Sequence, residues 1–435
     1  MSIRASPVGY LITMKDFKMK KISFQVDDKG ITVGEVFSLV ASNPLAQDLS
    51  LRLNISEIQH EMIEIPGAAK LVCEQMKINE RFAKVDHECD LSDISLYDED
   101  DFTINFENAD RNPYFAGLEF SRVVTEPIYS SQTDLFSGLC NMDKFVKSLA
   151  EEGHKEIVLD VYSKMQTIKN PHKIYRILVD QELLKCYLRA IVSDKYNNYD
   201  NNMAIFIALV SLHNQMKETG VKYSLDFCEL NESYINMYFE TSEVYDLEDV
   251  GKVRNVIQVS NDEIKREALK FSCVAKIYFD VDDPVYGSMY LTAENRVKST
   301  ILTIKHNVVP KTAVIRLSEL ANTGDIYKEL FSDVAQVKKV RNVGQIRFIL
   351  IQKIEKATRD SIKPYKASIL KELDNDVRNI HELLTLFKKV ELLAGEDIEA
   401  TQFIRYMIYE VLISKRKSHR DKEDESNEDS GEMLC

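Results

Sequence analysis

The spacing of apolar residues changes along this chain, and that change constrains the fold more than any single motif. Up to residue 130, β-forming residues cluster or alternate, as in 102–106 and 114–124, with Asp110, Arg111, Asn112 and Pro113 as turn chemistry between them. Residues 8–14 and 21–26 read as strands, with a turn at 27–30 and a helix over 33–41 behind Thr32 as its cap. This hairpin-then-helix pattern predicts that the first 130 residues are mainly sheet. From Asp134 the apolar residues recur at spacings of three and four, which predicts helices over 135–149, 172–192 and 203–216. Asn170-Pro171 and the polar run 194–202 separate them.

A second strand-rich stretch follows, with strands expected at 222–229, 233–240, 271–279, 288–292 and 313–317, and Asn231-Glu232 as a tight turn. Helical patterns lie at 262–269 and 296–304. The last part reads as helices over 349–362, 365–393 and 398–413, broken at Gly395. Both periods in one chain specify an α+β protein: two strand-rich layers separated by a helical segment, then a C-terminal helical bundle and a disordered charged tail. The expected divisions are 1–130 strand-rich and acidic, 131–220 helical, 221–320 α/β, 321–417 helical with a basic amphipathic helix, and 418–435 tail. Residues 421–432 are nearly all charged or small and cannot bury a core.

With 435 residues, 44% of them hydrophobic, the chain is long enough for two or three cores. Its net charge of -14 opposes indiscriminate binding to nucleic acid or anionic membranes, so any such contact must be local. Residues 1–21 lack an apolar run of signal-peptide length, and the densest apolar stretch, 403–413, contains Arg405 and Glu410. The seven cysteines form no C-x-x-C pair, as expected of reduced thiols. These features predict a cytoplasmic protein with no membrane span. The cluster 415–420 is read as a solvated helix end rather than a targeting signal.

Against this acidic background, residues 338–371 hold ten Lys and Arg and just two acids, Glu355 and Asp360. On a helix over 349–362, Lys353, Lys356, Arg359 and Lys363 share one side, opposite Leu350, Ile351, Ile354 and Ala357. Cations at that spacing match a phosphate backbone and release its counterions. The candidate nucleic-acid-binding residues are Lys338, Lys339, Arg341, Arg347, Lys353, Lys356, Arg359, Lys363 and Lys366. Phe348 and Tyr365 are the aromatics interleaved among them, a thin basis for base stacking. The competing reading is internal pairing with residues 85–110, where ten acids occur without a Lys or Arg.

Asp280, Asp282 and Asp283 close a β-rich run before Pro284 and are candidate ligands for Mg²⁺, with a plain turn as the alternative. Asp262-Glu263-Ile264-Lys265 supplies the E-x-K of a nuclease, but Ser260-Asn261-Asp262-Glu263 reads better as a helix N-terminus with acids in its first turn. His87, Glu88, Cys89 and Asp90 lack a second ligand pair at zinc-finger spacing, and His60-Glu61 with Glu64 lacks the second His of H-E-x-x-H. No phosphate-binding glycine loop and no G-x-S-x-G elbow occurs. Leu370, Leu373, Val377, Ile380, Leu384 and Phe387 keep three-four spacing, which suits an intrachain helical hairpin or, alternatively, a homodimer seam. The run from Ala313 to Glu319, followed by Gly324-Asp325-Ile326, resembles a strand-and-acid pattern of phage-exclusion proteins. It spans a small part of the chain and assigns no site.

The residues thus point first to a non-enzymatic interaction protein that contacts an anionic partner, nucleic acid or another polyanion, through basic C-terminal helices. No cofactor is expected on that reading. The alternatives are a Mg-dependent nuclease or phosphoryl-transfer enzyme using the Asp cluster, and an assembly protein that dimerises through the heptad seam.

Overall fold

A computed structural model describes residues 20–23, 30–98, 102–264, 267–292, 299–337, 340, 342–395 and 397–413. The expected strand at 8–14 and the expected tail at 418–435 lie outside these residues. The chain is a mixed α+β protein built on antiparallel sheets.

In chain order the strands are β1 (Lys20–Ser23), β2 (Ile31–Thr32), β3 (Met62–Ile63), β4 (Phe82–Asp90), β5 (Ile94–Asp98), β6 (Phe102–Glu107), β7 (Arg122–Pro127), β8 (His172–Asp180) and β9 (Lys185–Val192). They continue with β10 (Tyr223–Leu230), β11 (Tyr234–Leu247), β12 (Gly251–Asp262), β13 (Leu269–Tyr278), β14 (Ser288–Leu291) and β15 (Thr300–Ile304). One sheet runs β1-β10-β11-β12-β13-β14, with β15 also on β13; a second runs β4-β8-β9-β7-β6-β5; β2 and β3 pair separately. Among the described residues all pairings are antiparallel except that of β7 with β9.

The cores cut the chain differently from the contiguous division expected above. One core draws on residues 22–78 and 199–413, the other on 85–191. The second sheet and its helices are therefore inserted into the body that carries the first, and the chain crosses between them near 79–84 and 192–198. At the centre of the larger core lies the helix Asn201–Thr219, apolar all round and buried against the sheet. Asp200 caps it by accepting the Met203 amide at 2.8 Å, and Gly220 ends it at φ +75, a conformation that favours glycine.

The sheet expected across residues 1–130 is interrupted by the helices Val33–Ser38, Ala46–Arg52, Ile55–Ile58 and Ala68–Arg81. The first strand and the turn of the expected N-terminal hairpin lie outside the described residues; β1 pairs with β10, and β2 with β3. The helix expected over 172–192 is instead the β8–β9 hairpin. Buried residues crowd both faces of these strands, so no alternation marks them, and the turn contains no Gly, Asn or Pro. Leu184 adopts φ 54 there.

Of the helix expected over 262–269, Asp262 ends β12, Leu269 begins β13 and residues 265–266 lie outside the described ones; 300–304 is strand β15 rather than helix. Residues Pro310–Leu317 form a helix with Pro at its first turn and Ala313 and Leu317 on the buried side, so the strand expected at 313–317 is absent. That correction also removes the strand on which the phage-exclusion pattern rested. The 365–393 helix is split into Lys366–Leu373 and Ile380–Leu392, with Asn379 capping the second by accepting the Glu382 amide at 2.9 Å. Leu373, Leu384 and Phe387 are buried in the chain's own core, and Leu370, Val377 and Ile380 pack against it.

Candidate functional site

The basic helix is Val343–Lys356, capped by Asn342 and ending at Ala357. Arg359 and Lys363 lie in the loop beyond it, so they do not continue the ridge of Lys353 and Lys356. Lys338, Lys339 and Arg341 lie outside the described residues. Arg347 donates to the carbonyls of Asp374 and Asn375, at 3.1 and 2.6 Å, just beyond the helix Lys366–Leu373. Lys366 donates to the Glu355 carbonyl at 2.5 Å, at the end of the basic helix. Both cations thus satisfy carbonyls and complement the negative end of a helix dipole.

Of the other candidates, Lys353 pairs with Glu410 and Lys363 with Asp360, each at 2.6 Å, while Lys356 is exposed. Four acids of 85–110 have partners elsewhere: Asp86 meets Arg176, Asp90 meets His172, Asp93 meets Arg111 and Glu107 meets Arg122. For these described residues the charges of the two stretches are matched separately.

A surface cleft of about 570 Å³ opens beside this loop, between Thr358, Arg359, Asp360 and Ser361 and the helix Ile398–Ile413, which contributes Glu399, Gln402, Phe403 and Tyr406. The Arg359 guanidinium lies 4.5 Å from the centre of the Phe403 ring. A planar cation against an aromatic face, ringed by hydroxyl and amide groups, is suited to stacking and hydrogen bonding with a flat polar ligand. Asp360 and Glu399 limit how much anionic charge the same cleft can accept.

Asp280, Asp282 and Asp283 sit in the β13–β14 turn. Asp280 accepts the Asp282 amide at 3.1 Å, and Asp283 accepts the amides of Val285 and Tyr286 at 2.9 Å. These are turn-forming contacts. Among the described residues no group of three or more His, Cys, Asp or Glu is placed to hold a metal ion, which removes the structural support for the Mg²⁺ reading. Burial pushes the Cys89 thiol up to about 12, far from a metal-binding thiolate, and Glu61 is engaged by His213 and Lys217.

One buried acid with several partners is one the sequence placed in a helix cap. Glu263, just past β12, is fully buried and joins Lys84 of β4, Arg189 of β9 at 2.6 Å and Arg176 of β8 at 3.9 Å. Its carboxylate also accepts the Asn201 amide at 2.8 Å, at the start of the central helix. Burial opposes its ionisation, but Lys84, Arg189 and Arg176 outweigh that and hold it down to about 2. Arg176 reaches Asp86 at 3.0 Å, Tyr196 Oη at 2.6 Å and Asn198 at 2.7 Å, and nearby Tyr129 donates to Glu232. This polar junction joins the inserted sheet to the main body. No local signal marks it, since its partners lie 62 to 179 residues from Glu263 in sequence.

A second buried network lies where the C-terminal helices meet the first sheet. Arg405 holds Glu391 at 2.8 Å and donates to Tyr238 Oη at 3.1 Å. Burial disfavours the Glu391 carboxylate, yet Arg405 and Lys388 keep it ionised down to about 2. On the same face Lys276 bridges Asp226 and Glu240 at 2.5 and 2.7 Å.

Compared with known proteins, the chain matches no family model, and no curated protein and no solved structure is similar to it at a significant level. Among the described residues no helix is long and apolar enough to cross a membrane.

Proposed function

We propose that this protein is an interaction protein that binds nucleic acid as its anionic partner, at the cleft between residues 358–361 and the helix Ile398–Ile413. The observation that carries the reading is the Arg359 guanidinium stacked on Phe403 within that cleft. Stacking on a ring or a guanidinium plane accepts any base, and the hydroxyls of Thr358, Ser361 and Tyr406 offer hydrogen bonds to sugar or phosphate. Because several cations of the segment already serve carbonyls or carboxylates, stacking supplies much of the affinity and few phosphates are neutralised. An unpaired strand fits this better than a duplex, whose bases are not available to stack.

The test is fluorescence anisotropy of labelled single-stranded and duplex oligonucleotides across a salt series. Replacing Lys353, Lys356, Arg359 and Lys363 by Gln is expected to weaken binding and flatten its salt dependence, by about 0.7 in slope for each single-strand phosphate no longer neutralised. Phe403→Ala is expected to weaken binding with the slope unchanged. Equal binding by wild type and both variants rejects the cleft.

A further inference from the structure

The inserted sheet is tied to the main body by a strap as well as by the Glu263 junction. Residues 193–198 form the second crossing between the cores, and they lie against the loop that follows β15. Asn197 donates its amide to the His306 carbonyl and its side chain to the Val308 carbonyl at 3.2 Å; Tyr199 Oη donates to the same Val308 carbonyl at 2.9 Å. The His306 ring stacks on Tyr196, with centroids 5.0 Å apart and planes 24° from parallel, and meets Tyr199 edge-on at 6.2 Å. Tyr196 also carries the Arg176 guanidinium 4.7 Å from its centroid. Both ring nitrogens of His306 are shielded from solvent and make no hydrogen bond to a side chain.

We propose that His306 and Tyr196 form a protonation-controlled latch, closed when the imidazole is neutral and released when it is charged, which sets whether the crossing strap 193–198 stays docked on the main body.

Among the described residues, the groups that face this ring are Tyr196 and Tyr199 on the strap side, Arg176 from β8, Glu263 from the end of β12 and the main chain of Glu267, with exposed Lys305 on its own loop. A proton on His306 would place a cation in a shielded site beside Arg176. The attraction of an imidazolium to Tyr196 is open to it, but Arg176 already competes for that ring. Glu263 is the nearby carboxylate, and Lys84, Arg189 and Arg176 already share it. Burial, reinforced by Arg176 and opposed by Glu263 and by a hydrogen bond with the Glu267 main chain, holds the imidazole down to about 4. A ring freed into solvent titrates near 6.5, so acid favours the undocked strap.

Linkage between about 4 and 6.5 predicts that the opening equilibrium rises roughly thirtyfold between pH 7.5 and pH 5. Hydrogen exchange of the full-length protein, corrected for the intrinsic pH dependence, reads this directly as a fall in protection over residues 193–199. His306→Phe keeps the stack without a titrating group, and its protection is expected to stay level over the same range. A wild-type strap equally protected at both values, or a His306→Phe variant that loses protection as the wild type does, overturns the latch. Should the variant misfold, the histidine proton resonances of wild type decide: titration of His306 near 6.5 with the strap still protected overturns it, and titration well below 6.5 in step with loss of protection supports it.

Discussion

The Glu263 carboxylate and the Arg189 guanidinium meet at 2.6 Å with neither side chain exposed to solvent. They belong to different cores, so their pairing is one of the points at which the inserted sheet and the main body become a single structure. A buried pair of this kind contributes little net stability over an apolar replacement, but breaking it from one side strands a charge.

Glu263→Gln leaves Lys84, Arg189 and Arg176 facing one another without their shared counter-charge. The variant is expected to lose about 3 to 5 kcal/mol in urea unfolding. A loss below about 1 kcal/mol would mean that water reaches the junction and screens the three cations.

Arg405 and Glu391 allow the same logic to be run in both directions. Arg405→Met alone should destabilise the protein by about 3 kcal/mol, because Glu391 stays buried and charged. Adding Glu391→Leu should recover most of that loss, and a double variant no more stable than the single one would contradict the account.

His87 lies edge-on to Phe106 and Phe115 at 5.5 and 6.2 Å, with both ring nitrogens unpaired. Burial lowers its pKa, with Asp93 opposing and Arg111 adding to the effect. The unfolded chain therefore takes up this proton first, and stability falls as pH drops below about 6.5 toward the lowered folded-state value. Replacing His87 by Phe should reduce the loss of stability between pH 7.5 and pH 5, measured as the shift in urea midpoint.

Leu373 is fully buried within the chain, whereas Val377 lies between two helices and is partly covered. Leu373→Asp is expected to cost more than about 3 kcal/mol and Val377→Asp distinctly less. Denaturation curves with parallel light scattering check this; a stable, folded Leu373→Asp protein of reduced mass would instead assign the seam to an interface between copies.

Gly287 closes the β13–β14 turn so tightly that an added Cβ would lie 1.8 Å from the Asp280 carbonyl oxygen. Gly287→Ala should cost more than about 2 kcal/mol in thermal or urea unfolding, since backbone rather than a movable side chain must give way.

Elements whose signals come from near neighbours were legible. The all-apolar run behind Asp200, the Asn231 turn and the helix after Gly395 lie within a few residues of the expected elements because turns and periodicity act over one or two helical turns. The β8–β9 hairpin was not legible, since strands buried on both faces show a continuous apolar run that equally fits a helix. The candidate site was legible in part: Arg359 lines a cleft with two aromatics from a helix some forty residues on, while Arg347 and Lys366 cap helix ends.

By itself, then, the amino-acid order determined the α+β class, the central helix and the position of the positive charge, all of which depend on composition and short-range spacing. The tertiary structure decided that one sheet is inserted into the body of the other and that Glu263 is a junction between cores rather than a helix cap. It also decided which cations face outward. A charge's role depends on which groups are brought within a few ångströms of it, and for Glu263 those groups come from β4, β8 and β9, far away along the chain.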